Sequence, residues 1–266
     1  FPKFDWPRIE NPKLHFPITE AVLEEIILKE KKAIEQIKSA ILIHSHDIAA
    51  LIIEPIQGEG GDNHFRDEFI SSLRLLCDEN DIMFIMDEVQ TGVGITGKWW
   101  AHEHFSSRPD IISFGKKSQV CGMLVSNRID EVENHVFLES SRINSTFGGN
   151  LTDMVRFQLI LEIITKEKLL ENARNMGAKL IQGLQKLTIE FPAFVTNPRG
   201  TGLFAAFDLP SQTERDILIN KLMENKMMIL PSGDKSIRFR PHLNVLEADL
   251  NLALEIIQKS LKNVLN

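Results

Sequence analysis

The chain has 266 residues, of which 43% are hydrophobic and 25% are charged, and its formal charge is −7. This composition is typical of a globular protein and excludes a collagen-like, fibrous or disordered chain. The acidic balance argues against a nucleic-acid scaffold, which usually presents a basic face. The sequence contains no apolar run of about 18 residues, the length that a membrane span needs.

Cysteine usage indicates the compartment. Cys77 and Cys121 lie outside any metal-ligand spacing. Two lone thiols favour a reducing cytoplasm, and a single disulfide between them is the alternative. No charged segment followed by an apolar stretch marks a signal peptide. We therefore expect a cytoplasmic protein.

The first half of the chain predicts alternating helices and strands. Proline-rich residues 1–17 favour an extended segment, and Thr19 is a candidate N-cap for a helix over residues 21–43. The following apolar patterns predict a strand at 48–53, a helix at 66–80, and strands at 82–86, 110–114 and 121–126. This alternation predicts an α/β fold with a mostly parallel sheet and helices on both faces.

The pattern changes in the second half. Helices are predicted at 151–166, 168–190, 213–225 and 247–264, and strands at 202–209 and 237–239. Residues 200–202 and 231–234 are predicted to be turns because of their glycine, proline and serine content. These elements indicate a smaller α+β domain, so we divide the chain into residues 1–155 and 156–266.

Polar residues follow three of the predicted strands. The segments are EPIQGEGG at 54–61, DEVQTG at 87–92 and FGKK at 114–117. Functional groups of open α/β sheets collect at the carboxyl ends of strands. Burial there lowers the pKa of a lysine and leaves a nucleophilic amine. A Schiff-base lysine with an acidic partner for a pyridinium nitrogen is the pair that pyridoxal phosphate requires.

The order of longer motifs carries a family resemblance. EPIQGEGGDNHF, DEVQTGVGITGKWWAHEHF, PDIISFGKK, NSTFGGN, PRGTGLFAAFDLP and SIRFRPHLNV follow one another as in class III aminotransferases, pyridoxal phosphate enzymes of fold type I. FGKKSQVCG, SRINSTFGGNLTDMVR and DEVENHVF most resemble members that act on L-lysine. Members that act on 4-aminobutyrate share GDNHF and GDKSIRFRP and are the nearest alternative, with ornithine-specific members next.

The resemblance assigns roles around the cofactor. Lys116 matches the Schiff-base lysine, which also moves the substrate proton, and Lys117 is its immediate neighbour. Asp87 matches the partner of the pyridinium nitrogen, and Gln90 matches the residue that bonds the ring hydroxyl. Thr146 matches a threonine that reaches the phosphate of the other subunit's cofactor. This last role implies a homodimer with shared active sites.

The resemblance also implies how two substrates share one site. Arg238 matches an arginine that binds the α-carboxylate of 2-oxoglutarate. Glu59 matches the residue that covers this arginine while L-lysine offers its terminal amine. Glu54 matches a second acidic residue beside the site. Arg240 is two positions beyond Arg238, and we expect it to point to the opposite face.

Three parts of the family pattern are not recognisable in this sequence. They are the small-residue loop for the cofactor phosphate, the aromatic residue that stacks on the ring, and the arginine for the distal substrate carboxylate. The chain therefore resembles roughly the final three fifths of family members, and we expect it to be inactive alone. A non-catalytic fragment or partner subunit that keeps the fold is the alternative. His102 and His104 form a lone pair without a third ligand, so we predict no metal site.

Overall fold

The computed structural model describes residues 4–143, 146 and 148–265, which contain two four-stranded sheets. The first half comprises α1 (Glu20–Ile43), β1 (Ala50–Ile53), α2 (Asp67–Glu79), β2 (Met83–Asp87), β3 (Ile111–Phe114) and β4 (Gly122–Val125), with 3-10 turns at Ala101–His104, Lys116–Ser118 and Asn127–Glu131. The second half comprises α3 (Leu151–Lys166), α4 (Leu169–Glu190), β5 (Thr196–Thr201), β6 (Phe204–Asp208), α5 (Gln212–Glu224), β7 (Leu230–Ser232), β8 (Ser236–Phe239) and α6 (Glu247–Leu265). Every helix in the described ranges is too short or too polar to cross a bilayer.

The first sheet has the order β1-β2-β3-β4, in which β1, β2 and β3 run parallel and β4 runs antiparallel to β3. The predicted α/β fold with a mostly parallel sheet is confirmed. Side chains alternate between its faces with a period of two. Phe84, Met86 and Ile112 are buried beneath α1 and α2 on one face. The other face carries partly or fully exposed side chains at Ile52, Met83, Ile85, Asp87, Ile111, Ser113 and Met123.

Helix α1 packs against α2 through a narrow stripe of buried side chains. The Thr19 hydroxyl accepts a hydrogen bond from the Val22 amide at 3.3 Å and caps the helix, as the sequence predicts. Ile26, Glu30, Ala33 and Ile37 then recur at helical spacing and are buried. Glu30 accepts two hydrogen bonds from the Arg66 guanidinium, each of 2.9 Å, so the one carboxylate in the stripe is paired.

The second sheet has the order β5-β6-β8-β7 and is antiparallel throughout. All five residues of β6 are buried because helices and neighbouring strands surround it. The predicted turns are confirmed at Gly202 and at Gly233 and Asp234, but two strands occupy the residues before them. Gly200 and Thr201 belong to β5, and Pro231 and Ser232 belong to β7. Both are edge strands, where proline and polar residues are tolerated and no apolar alternation is needed.

Each sheet has its own hydrophobic core, but residues of the first half of the chain also pack into the core of the second sheet. Ile56 and Ile95 come from the first half of the chain but are buried in the core that surrounds the second sheet. The Leu203 amide donates to the Ile95 carbonyl at 2.9 Å. A Cβ on Gly202 would lie 2.6 Å from the Ile95 carbonyl oxygen, so this approach requires glycine. The boundary at residue 155 falls inside α3 and stays a prediction.

Candidate active site

The carboxylate of Asp87 is fixed at the end of β2. Its Oδ1 accepts hydrogen bonds from the Val89 amide and the Ser113 hydroxyl, each of 3.0 Å. Ser113 is the cross-strand partner of Asp87 on β3, and both lie on the less covered face of the sheet. The second oxygen, Oδ2, has no hydrogen-bond partner among the described residues. The site therefore holds an oriented carboxylate with one oxygen available to a ligand.

The two lysines after β3 have different surroundings. Lys116 has a left-handed backbone, with φ of 52°, and its side chain is exposed. Lys117 is turned inward, and its Nζ donates a hydrogen bond to the Gln90 carbonyl oxygen. Burial lowers the pKa of Lys117 to about 8, and the positive charges of Arg240 and Lys116 act in the same direction. Only Lys116 thus presents an amine at the surface of the site.

Glu54 lies just beyond β1, beside these groups. Its Oε2 accepts a hydrogen bond from the Gly58 amide at 2.9 Å. Burial raises the pKa of Glu54, and the neighbouring negative charge of Asp87 raises it further. The Lys116 charge opposes both effects. Glu54, Asp87 and Lys116 are therefore close enough to influence one another, although they follow three different strands.

The second sheet holds the loop of residues 57–63, which follows β1. The Gly233 amide donates to the Glu59 carbonyl at 2.8 Å, and the Ser232 hydroxyl donates to the Gly58 carbonyl at 2.6 Å. Buried Arg199 donates to the Asp62 carbonyl at 3.0 Å and to the Gly61 carbonyl. Donors from the second half of the chain thus fix the backbone of a loop from the first half.

Glu59 and Arg238, which we predict to act together, are in contact. A guanidinium nitrogen of Arg238 donates to Glu59 Oε2 at 2.7 Å. The Glu59 side chain is 77% exposed, whereas that of Arg238 is 13% exposed. The backbone of Glu59 is fixed while its carboxylate lies at the surface, so the carboxylate can leave the arginine by side-chain rotation alone.

Our prediction that Arg240 points away from this region is wrong. Arg240 donates to both carboxylate oxygens of Asp62, at 2.8 and 2.6 Å, and it lies over the Phe204 ring at 3.3 Å from the centroid. The prediction misapplied strand alternation, because residues two positions apart on a strand share a face and Arg240 follows Arg238 by two. Arg240 therefore contacts the same loop as Arg238.

Sequence reasoning missed two residues that hold the loop in place: Asp62, which belongs to it, and Arg199, which donates hydrogen bonds to its backbone. Asp62 is fully buried, and Arg199 is 4% exposed and pairs with Asp208 at 2.8 Å. The available signal was charge within apolar or glycine-rich segments, in GEGGDNHF for Asp62 and in PRGTGLF for Arg199. Charged residues are almost never buried unless they are paired.

The remaining candidates lie outside this cluster. Thr146 is exposed in the loop before α3, and residues 144, 145 and 147 beside it are outside the described part of the chain. His102 Nδ1 lies 2.9 Å from Oε1 of the fully buried Glu88. The described residues contain no group of three or more histidine, cysteine, aspartate or glutamate side chains that could hold a metal ion. Cys121, which we predicted in a strand core, is exposed just before β4.

Lys117 should make the stability of the fold depend on pH. Its pKa is about 8 when folded, against an ordinary value of 10.5, so the folded state disfavours the charged form. The destabilisation is complete below pH 8 and disappears as the pH rises to 10.5, because the unfolded chain binds more protons in that range. This amounts to roughly 3 kcal/mol. Glu88 is the one negative charge that opposes the shift.

We compare the unfolding free energy of the unaltered chain with that of Lys117→Met. We expect the unaltered chain to become more stable relative to the variant as the pH rises from 8 to 10.5. Urea unfolding followed by tryptophan fluorescence at several pH values measures this difference. Lys186→Met, which removes an exposed lysine from α4, is the matched control for loss of a surface charge. A difference that is constant across this range would contradict the assignment of a buried ammonium group.

Comparison with known proteins agrees with this geometry. The family model described as "Aminotransferase class-III" matches residues 4–261. L-lysine-epsilon aminotransferase of Mycobacterium tuberculosis is 48% identical over 98% of this chain and 58% of its own length. The mitochondrial 4-aminobutyrate aminotransferase of Sus scrofa is 36% identical over 96% of this chain and 51% of its own length.

A solved structure gives the same result for the fold. The lysine aminotransferase from M. tuberculosis in the internal aldimine form superposes with a TM-score of 0.95 at 47% identity, over 99% of this chain and 60% of that one. Our chain thus spans about three fifths of the length of these relatives. The family implies pyridoxal phosphate as the cofactor. From the family model and these relatives together, we conclude that the chain belongs to the class III aminotransferases.

Proposed function

We propose that the protein transfers the terminal amino group of L-lysine to 2-oxoglutarate, giving 2-aminoadipate 6-semialdehyde and L-glutamate. One observation carries the proposal. The strand ends that bear Asp87 and Lys116 lie beside Glu54, and the loop that follows Glu54 carries Glu59, which pairs with Arg238 of the second sheet. Lysine-specific relatives at 44–48% identity support this substrate over 4-aminobutyrate, whose specific relatives are 36% identical.

The residues present fit pyridoxal phosphate. Asp87 has one oxygen without a partner in the described structure, which suits a protonated ring nitrogen. Lys116 offers an exposed amine beside Glu54 and Asp87. The Gln90 side-chain amide is packed against Gly58 and can bond a ring oxygen. When bound, the cofactor withdraws electrons from the carbon that carries the amino group.

We assign the chemical steps to Lys116 and Asp87. Lys116 would hold the cofactor through Nζ, and the same amine would hold and move the proton at the reacting carbon. Asp87 keeps the ring nitrogen protonated because its carboxylate is oriented by Val89 and Ser113. Glu54 lies beside both groups, and burial there raises its pKa.

Glu59 and Arg238 would let one site accept two substrates. Lysine reacts at an amine that has no carboxylate nearby, so the Arg238 charge is best covered by Glu59. 2-Oxoglutarate brings an α-carboxylate to the same place, where a guanidinium can bind it through two hydrogen bonds. The exposed Glu59 carboxylate is free to rotate away at that stage.

The substrate assignment can be tested by comparing amino donors. L-Lysine, 4-aminobutyrate and L-ornithine are supplied separately with 2-oxoglutarate and pyridoxal phosphate, and L-glutamate is measured. The 266-residue chain and a longer protein that contains it are assayed in parallel. We expect L-lysine to give the highest kcat/KM with the longer protein. A higher value for either competitor would reject lysine as the substrate, and no reaction with any donor would favour a non-catalytic role.

We expect Lys116→Ala to abolish covalent attachment of the cofactor, because Lys116 is the exposed one of the two lysines that come directly after β3. Borohydride reduction followed by peptide mass spectrometry locates the attached group. Lys117→Ala is the matched control, since its Nζ is turned towards the Gln90 carbonyl. Attachment that survives in Lys116→Ala and disappears in Lys117→Ala would transfer the role to Lys117.

We expect Glu59→Gln to slow the half-reaction with L-lysine more than that with L-glutamate, by about tenfold for a difference of ~1.4 kcal/mol. The cause is the uncovered charge of Arg238, which attracts the wrong carboxylate while L-lysine is bound, whereas L-glutamate needs that charge uncovered for its α-carboxylate. Single-turnover absorbance changes with each amino donor measure the two rates. Equal losses in both half-reactions would reject the proposed switch.

We also propose a homodimer. Helix α3 presents an exposed apolar stripe at four-residue spacing, formed by Leu151, Val155, Leu159 and Ile163. Exposed apolar patches of this kind mark interaction sites, and Thr146 lies just before the helix. Light scattering should give twice the monomer mass, and Val155→Glu with Leu159→Glu should give the monomer mass. A monomer without these changes would reject the dimer.

A cytoplasmic location is our final proposal for the whole protein. Neither Cys77 nor Cys121 is in a disulfide, as is typical of proteins from a reducing compartment. Fractionation of cells that express the tagged protein tests this location directly.

A further inference from the structure

The side chain of Gln90 is held from several directions. A Cβ built on Gly58 would lie 2.5 Å from both Cδ and Oε1 of Gln90, so the amide lies flat against the glycine. Its backbone carbonyl accepts the hydrogen bond from Lys117. Gln90 therefore has little freedom to change its rotamer, and the open question is which end of its amide faces which neighbour.

The position of Arg240 determines which end of the Gln90 amide faces it. One of its terminal nitrogens lies 3.4 Å from Gln90 Oε1. A guanidinium has donors and no acceptor, so it attracts the amide oxygen and repels the amide NH₂. This electrostatic preference holds even though the hydrogen bond is long. With Oε1 directed to Arg240, the Nε2 hydrogens are left to donate elsewhere.

Arg240 is itself fixed. Asp62 accepts two hydrogen bonds from it, and the Phe204 ring lies beneath its guanidinium. Asp62 is fully buried, and its backbone carbonyl is held by Arg199. The orienting charge is thus rigidly attached to the loop that carries Glu59.

We propose that Arg240 is a positioning residue that orients the Gln90 amide so that Nε2 donates a hydrogen bond to an oxygen of the cofactor ring. This inference rests on the proposed function for the identity of the cofactor. Arg240 touches neither cofactor nor substrate and acts through Gln90. It differs in this from Arg238, whose partner is the surface carboxylate of Glu59.

The test removes the orienting charge without leaving its partner unpaired. Arg240→Met alone would strand the buried Asp62 carboxylate and could prevent folding. The variant is therefore Arg240→Met combined with Asp62→Asn. The matched control is Arg66→Met combined with Glu30→Gln, which removes another two-bond ion pair, located between α1 and the start of α2.

The first measurement is the pH at which the absorbance of the bound cofactor changes. Loss of a donor to the ring oxygen favours its protonated form, so the Arg240→Met/Asp62→Asn variant should shift the midpoint upward by about one pH unit. The control should not shift it. In a Gln90→Leu background the same pair of changes should have no further effect. An unchanged midpoint, or an equal shift in that background, would overturn the proposal.

The second measurement needs no cofactor. In the [¹⁵N]glutamine-labelled chain, the side-chain amide signal of Gln90 is identified by its absence in Gln90→Leu. Removing Arg240 and Asp62 should move this signal, and the control should leave it in place. If the unaltered chain binds no pyridoxal phosphate, the proposed function fails on that ground. The amide signal still decides whether Arg240 orients Gln90, and a signal that does not move would reject this.

Discussion

The geometry of the site depends on the pairing of buried arginines with the loop of residues 57–63. Arg199 and Arg240 reach this loop from the second sheet and meet Asp62 at its backbone carbonyl and its carboxylate. Burying unpaired charges would cost several kcal/mol each, so these contacts are made together or not at all. They place Glu59 over Arg238 and bring Gly58 against Gln90. The substrate and cofactor parts of the site are therefore set by one polar network.

Much of the first sheet could be predicted because its physics is local. The runs that became β2 and β3 are continuous and apolar, and a parallel strand that is covered by helices requires this pattern. Helices α1 to α6 follow their apolar periodicity closely for the same reason. Strands β5 and β7 could not be found in this way, since edge strands need no apolar alternation and theirs contain proline.

The site, too, has a part that could be predicted from local sequence and a part that could not. Asp87 and Lys116 follow predictable strands, so their proximity follows from the topology alone. The contact between Glu59 and Arg238 joins residues 179 positions apart, and only the family resemblance indicated it. Neither the strand topology nor the family resemblance predicted the contact between Asp62 and Arg240. A buried ion pair depends on tertiary packing that no local pattern encodes. The orientation of Arg240 was predicted wrongly because residues two positions apart on a strand share a face.

The shared packing between the two sheets limits how this protein can be recombined with its relatives. Ile56 and Ile95 are buried in the core of the second sheet, and Gly202 meets the backbone of Ile95 and Thr96 with no room for a side chain. A chimera joined inside α3 would have to match these contacts and the arginine network at the same time. The two halves are consequently poor modules for exchange, and changes in substrate preference are more accessible at the exposed Glu59 than by swapping a whole domain.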